Sequence, residues 1–130
     1  MMIAQITDMH VRPRGKIAYD PPAQTPDELK LARQDEADGP GLVRCVLQAE
    51  PARQIPRLRG IPILILTSES SYHAPYDHCT SKYLAQAGVK NSFVRLADHG
   101  IRGNGHMMML EKNNLEIAAF IRGWEAANIR

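Results

Sequence analysis

The pattern of hydrophobic and polar positions divides the chain into a sparse opening stretch and a regularly patterned part that begins near residue 42. The segment Ile61–Thr67 is almost continuously aliphatic, which is typical of a parallel strand buried on both faces. Shorter runs at Leu42–Gln48 and Ser92–Leu96 predict two further strands, and Met2–Thr7 predicts a strand near the amino terminus. The chain therefore has enough strand signals for a small sheet.

Two amphipathic segments alternate with these strands. Apolar positions at helical spacing predict a helix over Tyr76–Ala87 that ends at Gly88. A second helix is predicted over Leu115–Ala127. Its expected buried stripe consists of Ile117, Phe120, Ile121 and Trp124. This alternation predicts the α/β class, with an incomplete parallel sheet of three to four strands, flanking helices and right-handed crossovers.

Residues 20–41 differ from the rest of the chain in having few apolar positions. We predict an irregular, linker-like segment there, with one helical turn near Pro26–Ala32. The expected organisation is thus residues 1–19 as an opening strand and loop, 20–41 as the linker, and 42–130 as the main α/β part.

Length, charge and the lengths of the apolar runs limit the kinds of protein that this chain is expected to be. With 130 residues, of which 44% are hydrophobic and 23% charged, the chain has material for one domain. The net charge of +2 is spread along the sequence, so we expect no nucleic-acid partner. No apolar run approaches the roughly 18 residues of a membrane span, and Asp8 and His10 interrupt the first run, which argues against a signal peptide. We expect no membrane partner and a cytoplasmic location.

The two cysteines, Cys45 and Cys79, are too few for a disulfide framework or a zinc site built from cysteines. Cys79 also falls on the apolar stripe of the first predicted helix. We therefore expect it to be packed rather than reactive.

Histidines mark the loops in which chemistry is expected. Four of the five lie between positions 73 and 106, and three of these (His73, His99 and His106) lie in the loops 68–77 and 97–109 that follow predicted strands. Functional groups of open α/β sheets gather outside the carboxyl ends of the strands. His106 lies in a glycine-rich loop directly before an apolar triplet, where it serves either as a general base or as a structural cap of the last helix.

The sequence G-N-G-H-M-M-M-L-E-K-N-N at positions 103–114 resembles the carboxyl-terminal motif of a group of α/β-hydrolase fold esterases. The resemblance covers roughly residues 20–130. It implies an incomplete α/β-hydrolase-like sheet, a small-molecule ester substrate, no cofactor, and His106 as the histidine of a Ser–carboxylate–His triad.

The same resemblance offers two positions for the acid of the triad. In most α/β hydrolases the acid follows the penultimate strand, where Glu69 lies. In this esterase group it is a glutamate one strand earlier, in an E-P segment that Glu50 matches. We prefer Glu50 and expect it to meet His106 at the carboxyl edge of the sheet. Each glutamate is also compatible with a cap or surface contact.

The sequence shows no recognisable nucleophile for this triad. The fold places its serine on a G-x-S-x-G elbow ahead of the acid, and this sequence contains no such motif. Ser68, Ser70 and Ser71 lack the flanking glycines and come after Glu50. The resemblance therefore implies a truncated ester hydrolase that keeps the acid and histidine and is inactive alone.

Residues 1–19 resemble the amino terminus of calcineurin-like metallophosphoesterases, where a strand ends in D-x-H. Asp8 and His10 match the two metal ligands of that motif. The later metal-binding motifs of the family have no counterpart here. A metal-dependent phosphodiesterase remnant with a divalent metal, and a non-catalytic domain, are the alternative functions. The sequence leaves the oligomeric state open.

A last cluster comprises His73, Asp77 and His78, whose spacing permits metal binding although Pro75 interrupts the helix face. We prefer a pocket role for this loop. The residues expected to line the entrance are Tyr72, His73 and Tyr76.

Overall fold

A computed structural model describes residues 17–129 of the chain. In this range the chain forms two two-stranded sheets and two α-helices, and is loosely α/β. The strands are β1 (Leu31–Arg33), β2 (Val46–Gln48), β3 (Leu64–Thr67) and β4 (Ser92–Arg95). The helices are α1 (Asp77–Gln86) and α2 (Asn114–Asn128).

The unit β3–α1–β4 confirms the predicted strand–helix–strand arrangement. β3 and β4 pair in parallel, in a register that runs from Leu64 opposite Ser92 to Thr67 opposite Arg95. Parallel neighbours need a crossover connection, which α1 provides. Their carboxyl ends therefore lie side by side and bring the following loops together.

Both faces of β3 contact apolar side chains, as its aliphatic run predicts. Ile63 and Ile65 belong to a buried cluster with Tyr83 and Leu84 of α1. Leu66 packs against a second cluster, whose buried members are Leu96, Ile101 and Ile117. Since Ile117 belongs to α2, the two helices cover opposite sides of this strand. The other three members of the predicted α2 stripe, Phe120, Ile121 and Trp124, are only partly buried.

α1 ends at the glycine that the sequence indicates. Gly88 has a φ of +74°, and its N–H donates to the carbonyl oxygen of Ala85 at 3.0 Å. The N–H of Val89 donates to the carbonyl oxygen of Leu84 at 2.9 Å. These two bonds make a Schellman motif, which needs a left-handed residue at this position.

The prediction of a parallel sheet with three to four strands is wrong in the number of strands, because in the described residues only β3 and β4 pair in parallel. Of the segment 42–48 only Val46–Gln48 is a strand, and it pairs antiparallel with Leu31–Arg33. The hydrogen bond from Cys45 N–H to the side-chain oxygen of Gln34, at 2.8 Å, reinforces this pairing. The stretch 20–41 therefore contributes a strand rather than a purely irregular linker, because backbone pairing does not require apolar side chains. The predicted strand at Met2–Thr7 lies outside the described residues.

A disulfide joins Cys45, just before β2, to Cys79 in α1. The cysteine count predicted no disulfide framework, and the apolar stripe predicted a packed Cys79; neither indicated this single bridge. Two cysteines make no framework, but a single bridge needs only that the fold bring them together. Here it ties the antiparallel sheet to the β3–α1–β4 unit. In the described residues no helix is both long and apolar enough to cross a bilayer.

Candidate active site

The loops that follow β3 and β4 are bound to each other at the carboxyl edge of the parallel pair. Glu69 accepts the backbone N–H of Gly103 at 2.9 Å and forms an ion pair with Arg102 at 3.0 Å. The N–H of Ser70 donates to the carbonyl oxygen of Asn104 at 3.0 Å. Three links thus fix the position of the glycine-rich loop that carries His106.

The same loop is also held to the start of α2. Asn104 is buried, and its side chain donates to the side-chain oxygen of Asn113 at 2.7 Å. The N–H of Gly105 donates to the carboxylate of Glu111 at 2.9 Å. The loop therefore presents His106 from a backbone that is anchored on both sides.

His106 is half-buried and contacts the loop after β3. Its Nδ1 lies 3.4 Å from Ser71 Oγ, a long hydrogen bond in which either atom is able to be the donor. Its ring stacks on the ring of His73 with centroids 4.3 Å apart and an interplanar angle of 13°. The ring of Tyr72, which is exposed, lies with its centroid 4.7 Å from that of His106. The expectation that Tyr72, His73 and Tyr76 line a pocket entrance stays a prediction.

His73 is itself fixed by a buried carboxylate. Its Nδ1 lies 3.2 Å from Asp77 Oδ1, and the two side chains are 3% and 5% exposed. Its backbone N–H donates to Ser71 Oγ at 3.1 Å. Sequence reasoning did not assign Ser71 and Asp77 to the surroundings of His106. The four-residue spacing of His73 and Asp77 is the signal for their pairing, because such residues become neighbours in a helical turn.

The metal cluster that the spacing of His73, Asp77 and His78 permits, and that we did not prefer, does not assemble. His78 is directed away from the other two and lies against the disulfide, with Nε2 3.3 Å from Cys45 Sγ. His78 directly follows Asp77 in α1, and adjacent residues of a helix do not face each other. The two groups of side chains are therefore separate.

Glu50 lies in different surroundings from His106. Its carboxylate accepts the side-chain N–H of Gln86 at 3.0 Å and the backbone N–H of Ala52 at 2.9 Å. The hydrogen bond from Gln86, followed by that from Ala52, lowers the pKa of Glu50. Gln86 is the last residue of α1, whereas Asp77 is the first, about 13 Å away along the helix axis.

The premise that placed Glu50 beside His106 is wrong, because β2 pairs with β1 and not with the parallel strands. Among the described residues no hydrogen bond or ion pair joins His106 to Glu50 or to Glu69. The catalytic roles of Glu50 and His106 stay predictions. The proposed metal ligands Asp8 and His10 lie outside the described residues, so their role also stays a prediction.

An apolar cleft of about 330 Å³ opens on the side of α1 that carries Tyr83 and Leu84. Its lining also includes Ile17, Ile55 and Leu58. No residue of the His106 loop contributes to the lining, so this cleft is separate from the candidate active site.

Comparison with known proteins gives one informative similarity. The chain is 44% identical over 113 residues, or 85% of its length, to "Probable secreted lipase phiG" of Fungal sp. (strain ATCC 74256). It spans 30% of the length of that relative. No family profile and no solved structure matches the chain. The similarity is consistent with a hydrolase of the esterase or lipase type, as the motif around His106 implies.

The expected cytoplasmic location is contradicted by two findings. The relative is named a secreted protein, and Cys45 and Cys79 form a disulfide. Structural disulfides persist in oxidising compartments and are rare in the cytosol. Both findings argue against a cytoplasmic location.

Proposed function

We propose that this chain is the histidine-bearing part of a secreted carboxylic ester hydrolase, with His106 as the general base. The observation that carries the proposal is the 44% identity to a protein named a probable secreted lipase. The match covers 85% of this chain but only 30% of the relative. Because most of the relative lies outside the match, its ester substrate is carried over to this chain only as part of the proposal. We further propose that the chain is extracellular.

The surroundings of His106 support its role. General-base catalysis needs an imidazole that is held in place yet reaches the reacting groups. The loop is anchored through Asn104 and Gly105, and the ring is half-buried against His73. A nucleophile on a G-x-S-x-G elbow is absent from the sequence. The proposal therefore requires a serine from outside these 130 residues.

The acid of the triad is proposed to be Glu50, on the match of its E-P segment alone. The described contacts connect Glu69 with the His106 loop and connect Glu50 with α1. The acid assignment is therefore the part of the proposal that most needs an experiment.

A chimera tests the proposal directly. The segment of the lipase relative that aligns with this chain is replaced by the corresponding residues of this chain, and hydrolysis of p-nitrophenyl esters is measured. We expect the chimera to hydrolyse the ester and His106→Asn to lower kcat/KM by about 10²–10⁴-fold. His99→Asn is the matched control, because His99 also follows β4 but contacts Phe120 instead of Ser71. An active chimera that His106→Asn leaves unchanged would contradict the role of His106.

The acid is assigned in the same chimera. Glu50→Gln is expected to lower kcat/KM strongly, while Glu69→Gln has a smaller effect through the loop that it holds. The reverse order would assign the acid to Glu69 and would leave the proposal for His106 intact.

A further inference from the structure

The plane of the His106 ring depends on its neighbours in the loop after β3. Its Nδ1 lies 3.4 Å from Ser71 Oγ, and rotation of a histidine ring about its last torsion is broad, so this long hydrogen bond alone does not fix the plane. Tyr72 contacts the ring at an angle of 52° but is 67% exposed. The nearly parallel contact with His73, at 13° and 4.3 Å, is therefore the main constraint on the plane of the ring.

His73 is itself held at both its backbone and its ring. Its backbone N–H donates to Ser71 Oγ at 3.1 Å, and its carbonyl oxygen accepts the N–H groups of Tyr76 at 2.9 Å and Asp77 at 3.0 Å. Its ring Nδ1 lies 3.2 Å from Asp77 Oδ1. An ionised carboxylate only accepts, so this nitrogen carries the donated proton. The ring of His73 is thus a fixed surface for the ring of His106.

The burial of the His73–Asp77 pair favours a role in orientation. Both side chains are almost fully buried, and burying a carboxylate beside an imidazole costs hydration free energy. A well-packed apolar pair of similar volume is often as stable. An apolar pair would fill the space, but it would lack the directional hydrogen bond that sets the angle of the His73 ring. A reacting group needs support of this kind from its neighbours to keep a productive angle.

We propose that His73 is a positioning residue for His106 and that Asp77 acts through it. Asp77 fixes the ring of His73, and that ring fixes the plane in which His106 presents Nε2 to the nucleophile. In a serine–histidine pair the base takes the proton through Nε2 while Nδ1 is held, and here Ser71 Oγ faces Nδ1. The inference deepens the proposed function and rests on it, because it takes His106 as the general base.

The kinetic test uses the chimera in which this chain replaces the matched segment of the lipase relative. The double variant His73→Leu/Asp77→Leu removes both partners of the buried pair and leaves neither unpaired, so we expect it to fold. Its kcat for p-nitrophenyl esters should fall by about 10–100-fold while KM changes by less than about threefold, because a misdirected base impairs the reaction and not ester binding. Rates are expressed per active site, counted from the acyl-enzyme burst, so that a smaller folded fraction does not imitate the effect.

Asp77 offers a conservative variant that separates positioning from stability. In Asp77→Asn the amide oxygen still accepts the hydrogen bond from His73 Nδ1, whereas Asp77→Ala loses it. We expect Asp77→Asn to keep kcat per active site within about threefold of the parent, and Asp77→Ala to lose kcat as the double variant does. Ser81→Ala, elsewhere on α1, is the control and should leave kcat unchanged. Equal kcat per active site in Asp77→Asn and Asp77→Ala would overturn the role of Asp77.

Nuclear magnetic resonance of the full 130-residue chain reports the ring contact without any ester. Protons that lie over the face of an aromatic ring are shielded, so the ring protons of His106 should move to lower field in the double variant. The ring protons of His99, which contacts Phe120, are the internal control and should stay in place.

Two results would overturn the positioning role of His73: unchanged His106 signals in the double variant, or an unchanged kcat per active site. Failure of the proposed function is a different result, because His106→Asn would then leave the chimera active. Failure of the positioning role alone leaves His106→Asn impaired and the double variant active.

Discussion

At the scale of single residues, His106 has a hydroxyl neighbour that the sequence motif does not provide. Ser71 Oγ lies 3.4 Å from its Nδ1, but the same oxygen accepts the N–H of His73 and the residue is 6% exposed. A nucleophilic serine has to be reachable and activated by its base. The surroundings of Ser71 fit a structural link between two loops better than a nucleophile.

We therefore expect the isolated chain to hydrolyse p-nitrophenyl acetate no faster than its histidine background. If the nucleophile lies outside these 130 residues, as we propose, the covalent step has no route in the isolated chain. The measurement is the initial rate for the chain and for its Ser71→Ala variant. Ser81→Ala, which removes a hydroxyl bonded to Asn91, is the control. A fast rate that collapses only in Ser71→Ala would make Ser71 the nucleophile.

Glu50 leads to a prediction on acid stability. Hydrogen bonds from Gln86 and Ala52 lower its pKa below the ordinary value of 4.5. A carboxyl with a lowered folded-state pKa stabilises the fold above pH 4.5, and this contribution is lost as the pH falls through the lowered pKa. The free energy of unfolding of Glu50→Gln should therefore lie below that of the parent chain at neutral pH, and the difference should shrink in acid.

Urea unfolding at neutral and acidic pH measures this difference. Glu125→Gln, which removes a charge from α2, is the matched control. A difference between the parent chain and Glu50→Gln that stays constant with pH would contradict the inferred hydrogen bonds.

At the scale of elements, the turn from α1 to β4 depends on one glycine. Gly88 has a φ of +74°, and a Cβ there would clash with the side-chain oxygen of Gln54. Gln54 cannot move freely, because its amide donates to the carbonyl oxygen of Gln86 and its oxygen accepts from Arg59. A side chain at this position therefore meets both backbone strain and a fixed neighbour.

Gly88→Ala should lower the free energy of unfolding by more than the about 1–2 kcal/mol cost of the left-handed conformation alone. Gly100→Ala separates the two effects, because Gly100 has a φ of +82° and a Cβ there would meet no non-neighbouring atom within 4 Å. Chemical denaturation of both variants gives the comparison. Equal losses of unfolding free energy in the two variants would show that the side chain of Gln54 moves aside with no energetic penalty.

The β3–α1–β4 unit also shows which elements are readable from a sequence. The aliphatic run of β3 and the helical spacing before Gly88 predicted this unit, because its strands and helix carry their own local pattern. The strand Leu31–Arg33 has no such pattern, and all three of its residues are exposed. It exists because β2 pairs with it.

At the scale of the whole molecule, the disulfide is the covalent link between the two sheets. It joins cysteines that are 34 positions apart. Closing a loop of this length restricts the unfolded chain and stabilises the fold by about 3–4 kcal/mol in the chain-entropy treatment. Reduction should lower the free energy of unfolding by that amount.

Urea unfolding of the oxidised and reduced chain tests this. The Cys45→Ser/Cys79→Ser variant should match the reduced chain. Identical unfolding curves for the oxidised and reduced chain would contradict a stabilising bridge.

The sequence by itself determined the local elements and the loop that carries His106. A strand, a helix and its glycine stop are set by neighbours along the chain, and the motif at positions 103–114 is contiguous. The resemblance to esterases rests on the same contiguous residues, and the similarity to a probable secreted lipase agrees with it.

Only the tertiary structure decided which distant groups meet. The Cys45–Cys79 bridge, the stacking of His106 on His73, and the place of Glu50 at the end of α1 depend on how separate elements pack. The order of residues along a chain does not specify such distances, since a strand is free to pair with more than one neighbour. β2 joined β1 instead of the parallel strands, and no pattern along the sequence indicated that choice of partner.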